Sequence, residues 1–349
     1  MKRNKKIYII GFIGSLLFLS LIIFMIMKSG NGDENLSGNN QVEQTPSSEE
    51  PLNNETDITS KTRPYAVMIN NLNEARAIQS GLSKAFIVYE MIVEGGITRY
   101  LALFKDVNVT SIGSVRSARH YYLDYVLEND AIFVHWGWSP QAQDDVKDLK
   151  INNVNGLTYE GTYFYRFNPI KIATEHTGFT KTELLDKAVN KLKYRKETNG
   201  DLLLNYSNES VDLTKFSVTS ATDVTIKYSN YTINNYVYNT ETQKYDRFVN
   251  GNEHKDYATN EQLSVKNIIV YKVKNYLMAN DPKGRQVLEN IGSGKGYYIT
   301  EGKSVEITWE KASRESQTKY FLEDGTELNV NKGNTFIQIM PTTGELIIK

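Results

Sequence analysis

Apolar and polar positions divide the chain into four stretches. Positions 7–27, IYIIGFIGSLLFLSLIIFMIM, run for 21 residues without a charge. As a helix rising about 1.5 Å per residue, this run covers the roughly 30 Å hydrocarbon core of a bilayer. Secretory apolar regions are shorter and end at a small-residue cleavage site. Here the run leaves through Met25-Ile26-Met27-Lys28, so 1–28 reads as a cytoplasmic stub and an uncleaved transmembrane signal anchor. Positions 29–62 are rich in Ser, Asn, Gly and Glu and poor in apolar residues. Such a segment cannot bury enough surface to offset its ordering entropy, and it reads as a disordered tether with a root-mean-square reach of roughly 30 Å.

The third stretch, 63–200, predicts a mixed α/β (α+β) domain. YAVMINN at 65–71 is an apolar run bounded by Pro64 and Asn70, which suits a buried strand. Two further β-favouring runs, 86–94 and 97–104, flank Gly95-Gly96, a pair that tolerates positive φ and signals a hairpin. Positions 117–127 have helical spacing and 131–134 are strand-like. Thr180-Lys181-Thr182-Glu183 matches a capping box ahead of a helix through Leu184, Leu185, Ala188, Val189 and Leu192. The fourth stretch, 201–349, alternates over 224–237 and carries strand patterns at 268–273, 297–299, 305–309 and 336–340. It predicts a mainly antiparallel β domain packed against the first. Gly292-Ser293-Gly294-Lys295-Gly296 lacks phosphate-loop spacing and reads as a loop before a strand.

Charge sharpens this division. The formal net charge is −1, from 40 Lys+Arg and 41 Asp+Glu. Positions 1–28 carry Lys2, Arg3, Lys5, Lys6 and Lys28 with no acid, and 29–62 carry seven acids against Lys61. The rest of the chain is balanced. The positive-inside rule places the stub in the cytoplasm and 29–349 outside. A neutral body argues against nucleic acid as a partner. The absence of cysteine excludes disulfides, thiolate metal sites, a catalytic thiol and a lipid-modified cysteine.

Polar residues that interrupt the apolar pattern are the functional candidates. Glu90 breaks an apolar strand, while Glu94 and Arg99 flank the Gly-Gly turn. Arg116 and Arg119 lie in GSVRSAR, where a helix capped by Ser117 would bring two guanidinium groups and backbone amides to one anion. The same arginines could instead pair with Glu90 and Glu94 in a structural salt-bridge network. His135 and Ser139 follow the strand AIFV, at a strand end of the kind that holds site residues in α/β folds. His176, beside Glu175, precedes the capped helix, and Arg166 completes the candidate set. No histidine spacing supports a metal site, no nucleophile elbow is present, and no cofactor is expected. Trp309 is expected in the core and His254, in NGNEHKD, on a surface loop.

RPYAVMINN, ARAIQSGLSKAFIVYEMIVEGGITRYLALF, IGSVRSARHYYLDYV and AIFVHWGWSPQA resemble the amino-terminal domain of the YerB-like family. YDRFVNGNEHKD, KNIIVYKVKN and GKGYYITEGKSVEITWEK resemble its carboxy-terminal domain. The resemblance implies an extracytoplasmic protein of Gram-positive-type bacteria, from a family of unknown function whose members are commonly lipoproteins. This chain departs from the pattern in having no cysteine, and in having Asn70 where the family's first strand is expected to carry Asp. The resemblance supplies no catalytic assignment.

These readings point to a membrane-anchored binding or regulatory protein of the cell envelope. Its ligand would be a cell-wall glycan, an anionic envelope precursor or a membrane-protein partner. The rival is a phosphoryl- or glycosyl-transfer enzyme with Glu90 and Glu94 as acid and base. That rival requires Glu90, Arg116, Arg119 and His135 to line one open cleft.

Overall fold

The three longest apolar runs of the first half become adjacent strands: β1 (Tyr65–Asn70), β2 (Ile87–Ile92) and β3 (Thr98–Phe104). Their side chains are buried almost without interruption, as continuous apolar runs in a sheet covered on both faces should be. In this computed structural model, which describes residue 57 and residues 59–349, β3 pairs antiparallel with both β1 and β2. The turn between β2 and β3 is the expected hairpin. Gly95 and Gly96 have φ of 67° and 75°, a region that side chains with a Cβ rarely occupy. Val93 N–H closes the turn on Ile97 O at 2.8 Å.

Ile132–His135 adds parallel to β1, and Asn153–Asn155 parallel to Ile132–His135. On the other side, Thr335–Pro341 runs parallel to β2 and Asn267–Val273 parallel to Thr335–Pro341. Gly292–Thr300 and Lys303–Lys311 then continue antiparallel. The result is an eleven-stranded mixed sheet among the described residues. It takes strands from both sides of position 200, so the chain from 53 to 349 clusters as one unit. A second, antiparallel sheet is built from Asp223–Lys227, Ile233–Asn239, Lys244–Val249 and Glu345–Ile348, with two short additions. The carboxy-terminal half is therefore antiparallel only in part.

Helices are few and short. Pro140–Asp148 starts at Ser139, whose Oγ accepts from Ala142 N–H, with Pro140 at the first helical position. Thr182–Leu192 buries Leu185, Ala188 and Val189 on one face. The expected capping box does not form, because Thr180 ends a strand with its hydroxyl donating to Tyr163 O, and Lys181 occupies the cap. The helix expected over 117–127 begins only at Leu123, after a short 3-10 turn, and ends at Glu128. Gly292–Thr300 is strand from its first residue, so the glycine-rich segment is not a loop. Gly296 is held there by close backbone approach, since a Cβ would stand 2.7 Å from Val270 O. Trp309 is buried and stacks on Tyr271 at 4.8 Å. Among the described residues no helix is long and apolar enough to cross a membrane. The anchor at 7–27 and nearly all of the tether lie outside those residues.

Candidate functional site

The carboxyl ends of β1, Ile132–His135 and Asn153–Asn155 share one edge of the central sheet. Crevices at such edges are where ligands meet open α/β sheets. GSVRSAR fills the gap between β1 and Ile132–His135 as extended chain. Asn70 N–H donates to Ser114 O, Arg116 N–H to Met68 O, Trp136 N–H to Arg116 O and Ala118 N–H to Gly137 O. Backbone bonds on both sides hold it extended, which is why Ser117 caps no helix; its hydroxyl donates to Trp136 O instead.

This threading presents Arg116 and Arg119 beside Arg99, which sits opposite Asn70 in the register of β1 and β3. Glu94 comes from the hairpin turn and receives Arg119 through both Nε (2.5 Å) and Nη2 (2.8 Å). Arg99 Nη2 lies 3.7 Å from the same carboxylate and its Nη1 donates to Ser117 O. Arg99 Nε is buried with no acceptor. Arg116 Nη1 donates to Glu175 O, and the neighbouring His176 Nδ1 meets Asn70 Nδ2 at 2.9 Å. Two guanidinium groups thus share one partly buried carboxylate, and a third, Arg116, lies beside them with exposed Glu175 at the rim. Burial, and then the charge of Arg119, bring Arg99 down to about 10. Burial pushes Glu94 up, but the hydrogen bond and charge of Arg119 outweigh it and hold the carboxyl below its ordinary range. Burial and then Arg116 lower His176. Asp281, on the loop after Asn275–Leu277, also feels Arg119 but is already paired with Arg285.

The remaining candidates do not join this cluster. Glu90 is completely buried and belongs to a different network. Its Oε1 accepts from Thr98 Oγ1 (2.6 Å) and Asn71 Nδ2 (3.2 Å). Its Oε2 accepts from Arg247 Nη2 (2.8 Å) and Asn234 Nδ2 (2.9 Å). Arg247 also donates to Tyr236 OH at 3.0 Å and to His254 Nδ1. His254 is therefore no surface residue: it is 3% exposed and its Nε2–H donates to Gln79 Oε1. His135 is wholly buried between Phe133 and Trp138, with Nδ1 on Gly137 O and Nε2 on Asn153 Oδ1. Burial pushes it down to about 4, so it is neutral. Ser139 is buried as a helix cap. Arg166 stacks on Trp136 at 4.0 Å, pairs with Glu160 and donates to Thr174 O, steadying the loop that carries Glu175 and His176. Glu90, Arg116, Arg119 and His135 do not line one open cleft, so the expected transferase set has neither its acid nor its imidazole in reach of a substrate.

Sequence reasoning missed Arg247, Asn234, Asn71 and Thr98 as the partners that Glu90 requires. The one signal was Glu90 itself, since an ionised carboxylate in an apolar strand demands a buried cation somewhere.

Comparison with known proteins agrees with this architecture. A solved structure described as the YerB protein from Bacillus subtilis superposes with a TM-score of 0.71 at 30% identity, covering 82% of this chain and 94% of that one. "Putative lipoprotein YerB" of Bacillus subtilis (strain 168) is 31% identical over 294 residues, which is 83% of this chain and 84% of that protein. Family profiles for the amino-terminal and carboxy-terminal domains of a protein of unknown function, DUF3048, match residues 52–195 and 224–337. The chain thus belongs to the YerB-like DUF3048 family, whose molecular function is unknown.

Proposed function

We propose that this chain is a membrane-anchored extracytoplasmic binding protein that takes an anionic group of an envelope polymer at Arg99, Arg116 and Arg119. The observation that carries this reading is that Arg99 and Arg119 share the single partly buried carboxylate of Glu94, with Arg99 Nε buried and unpaired and Arg116 beside them bonded only to a carbonyl. Guanidinium groups match phosphate and carboxylate in bidentate geometry. A cluster of them without matching acids is electrostatically incomplete until an anion arrives. The relative's name as a lipoprotein supports an extracytoplasmic, membrane-associated setting. With no cysteine to carry a lipid, the apolar run at 7–27 would supply the attachment, and 29–62 the spacer.

The test is calorimetric titration of the full-length chain in detergent micelles with poly(glycerol phosphate), a soluble phosphodiester polymer. Arg116 is half-buried and its one side-chain bond within the protein is to a carbonyl, so its loss should leave the fold intact. Arg116→Ala should weaken binding about tenfold, or about 1.4 kcal/mol. Equal affinity of the variant and the parent would overturn the assignment.

A further inference from the structure

On the far side of the Gly95-Gly96 turn lies a second cleft, of about 520 Å³, within the size range of small-molecule sites. One wall is the segment after β1, with Asn71, Asn73, Glu74 and Arg76. The other is the turn between Asp223–Lys227 and Ile233–Asn239, with Asn230 and Tyr231. Two features distinguish it from the arginine cluster. First, its cation is held by neutral oxygens of its own segment. Arg76 donates to Asn71 O (2.6 Å), Asn71 Oδ1 (3.1 Å) and Asn73 Oδ1 (3.1 Å). Second, its rim holds Tyr231 with the side chain 70% exposed on a pinned backbone. Tyr231 N–H donates to Ser229 Oγ and Tyr231 O accepts from Asn250 Nδ2. Ser229 Oγ and Thr232 Oγ1 in turn donate to Gly96 O. A Cβ on Gly96 would stand 3.3 Å from the Tyr231 ring and 3.0 Å from Ser229 Oγ, so the turn glycine makes room for the ring's seat.

The geometry points to a neutral saccharide site, with Tyr231 as the stacking platform and the Asn73 and Asn230 amides as hydroxyl partners. A carboxamide offers both donors and acceptors, matching hydroxyls that are themselves both. Asn73 Nδ2, the Asn230 amide and Tyr231 OH have no protein partner among the described residues, leaving them available to a ligand. An exposed ring held by its own backbone presents apolar area at little cost in side-chain entropy. It suits the aliphatic C–H face of a sugar ring. This site stands on its own residues. Only the step from it to a single anionic glycan, lying across the Gly95-Gly96 turn with its charged group on Arg116, rests on the function proposed above.

Titration of the full-length chain in micelles with two neutral probes, chitotetraose and maltotetraose, tests the cleft separately from the arginines. At least one should bind. Tyr231→Ala should weaken that binding tenfold or more, while Tyr231→Phe, which keeps the ring, should stay within about threefold of the parent. Arg116→Ala should leave neutral-probe binding unchanged, and Tyr231→Ala should leave poly(glycerol phosphate) binding unchanged. Failure of both neutral probes to bind the parent, or equal binding by Tyr231→Ala, would overturn the saccharide site without touching the arginine assignment. Loss of phosphodiester binding in Tyr231→Ala would overturn the separation of the two sites.

Discussion

Glu90 and Glu94 stand four residues apart at the end of one strand, yet they live under different electrostatic rules. Around Glu90 every carboxylate lone pair finds a donor. One buried cation, Arg247, balances its charge, and that cation's own donors end on Tyr236 and His254. No solvent reaches either charge of the pair, and the orphans that remain, Asn234 Oδ1 and Gln338 Nε2, are neutral amide atoms. Around Glu94 two arginines, Arg99 and Arg119, share one carboxylate that is 20% exposed, Arg116 lies beside them, and Arg99 keeps an unpaired buried N–H. A charge-balanced, buried network holds two parts of a chain together: β2 and Lys244–Val249 are 157 positions apart at the ion pair. The cationic, half-open cluster is where the proposed anion would bind. Sequence proximity to a shared hairpin says nothing about which rule applies; the completeness of the partner set does.

The largest effect that could break this comparison is on stability. Glu90→Gln leaves Arg247 buried without a counter-charge and should cost about 3–5 kcal/mol in urea unfolding. A cost below 1 kcal/mol would mean that the interior pair is no more structural than the rim. Next comes acid sensitivity. His135 is held near 4 by burial, below the ordinary 6.5, so the unfolded chain takes up a proton that the folded chain refuses. Stability should therefore fall as pH drops from about 6.5 to about 4, by on the order of 3 kcal/mol from this residue. His254, pushed down by burial and by Arg247, adds to the loss in the same direction. His135→Gln should flatten the profile in part, and a parent profile that is flat over this window would contradict neutral burial. The smallest stability effect is at the rim. Glu94→Gln should change unfolding free energy by no more than about 1 kcal/mol, yet raise affinity for poly(glycerol phosphate) several-fold by removing the competing carboxylate. Weakened binding in that variant would show that Glu94 orients the arginines rather than competing with the ligand.

Much of the architecture was legible because local rules carried it. The apolar runs at 65–70 and 87–92 could hardly be anything but buried strands, and two glycines between β-favouring runs admit positive φ where other residues resist it. Other readings failed where a long-range bond overrode a local preference. GSVRSAR has the composition of a helix start, but Met68, Asn70, Trp136 and Gly137 claim its backbone on both sides. Thr180 opens the sequence of a capping box, but its hydroxyl serves Tyr163 O. His254 sits in a polar run that reads as surface, and it is buried because Arg247 and Gln79, 7 and 175 positions away, close around it.

By itself the sequence determined the strand-rich mixed α/β character, the hairpin turn and the segregation of charge along the chain. These follow from periodicity, backbone sterics and counting, which need no knowledge of distant neighbours. Only the tertiary structure decided that Glu90 is an interior strut and Glu94 a rim group, that His135 and Ser139 are packing and capping residues, and that Tyr231 faces a cleft across from Asn73 and Arg76. Each of those outcomes depends on which remote side chain arrives to satisfy a polar group. Pairing across more than a hundred residues is set by the sheet register, and no local pattern encodes it.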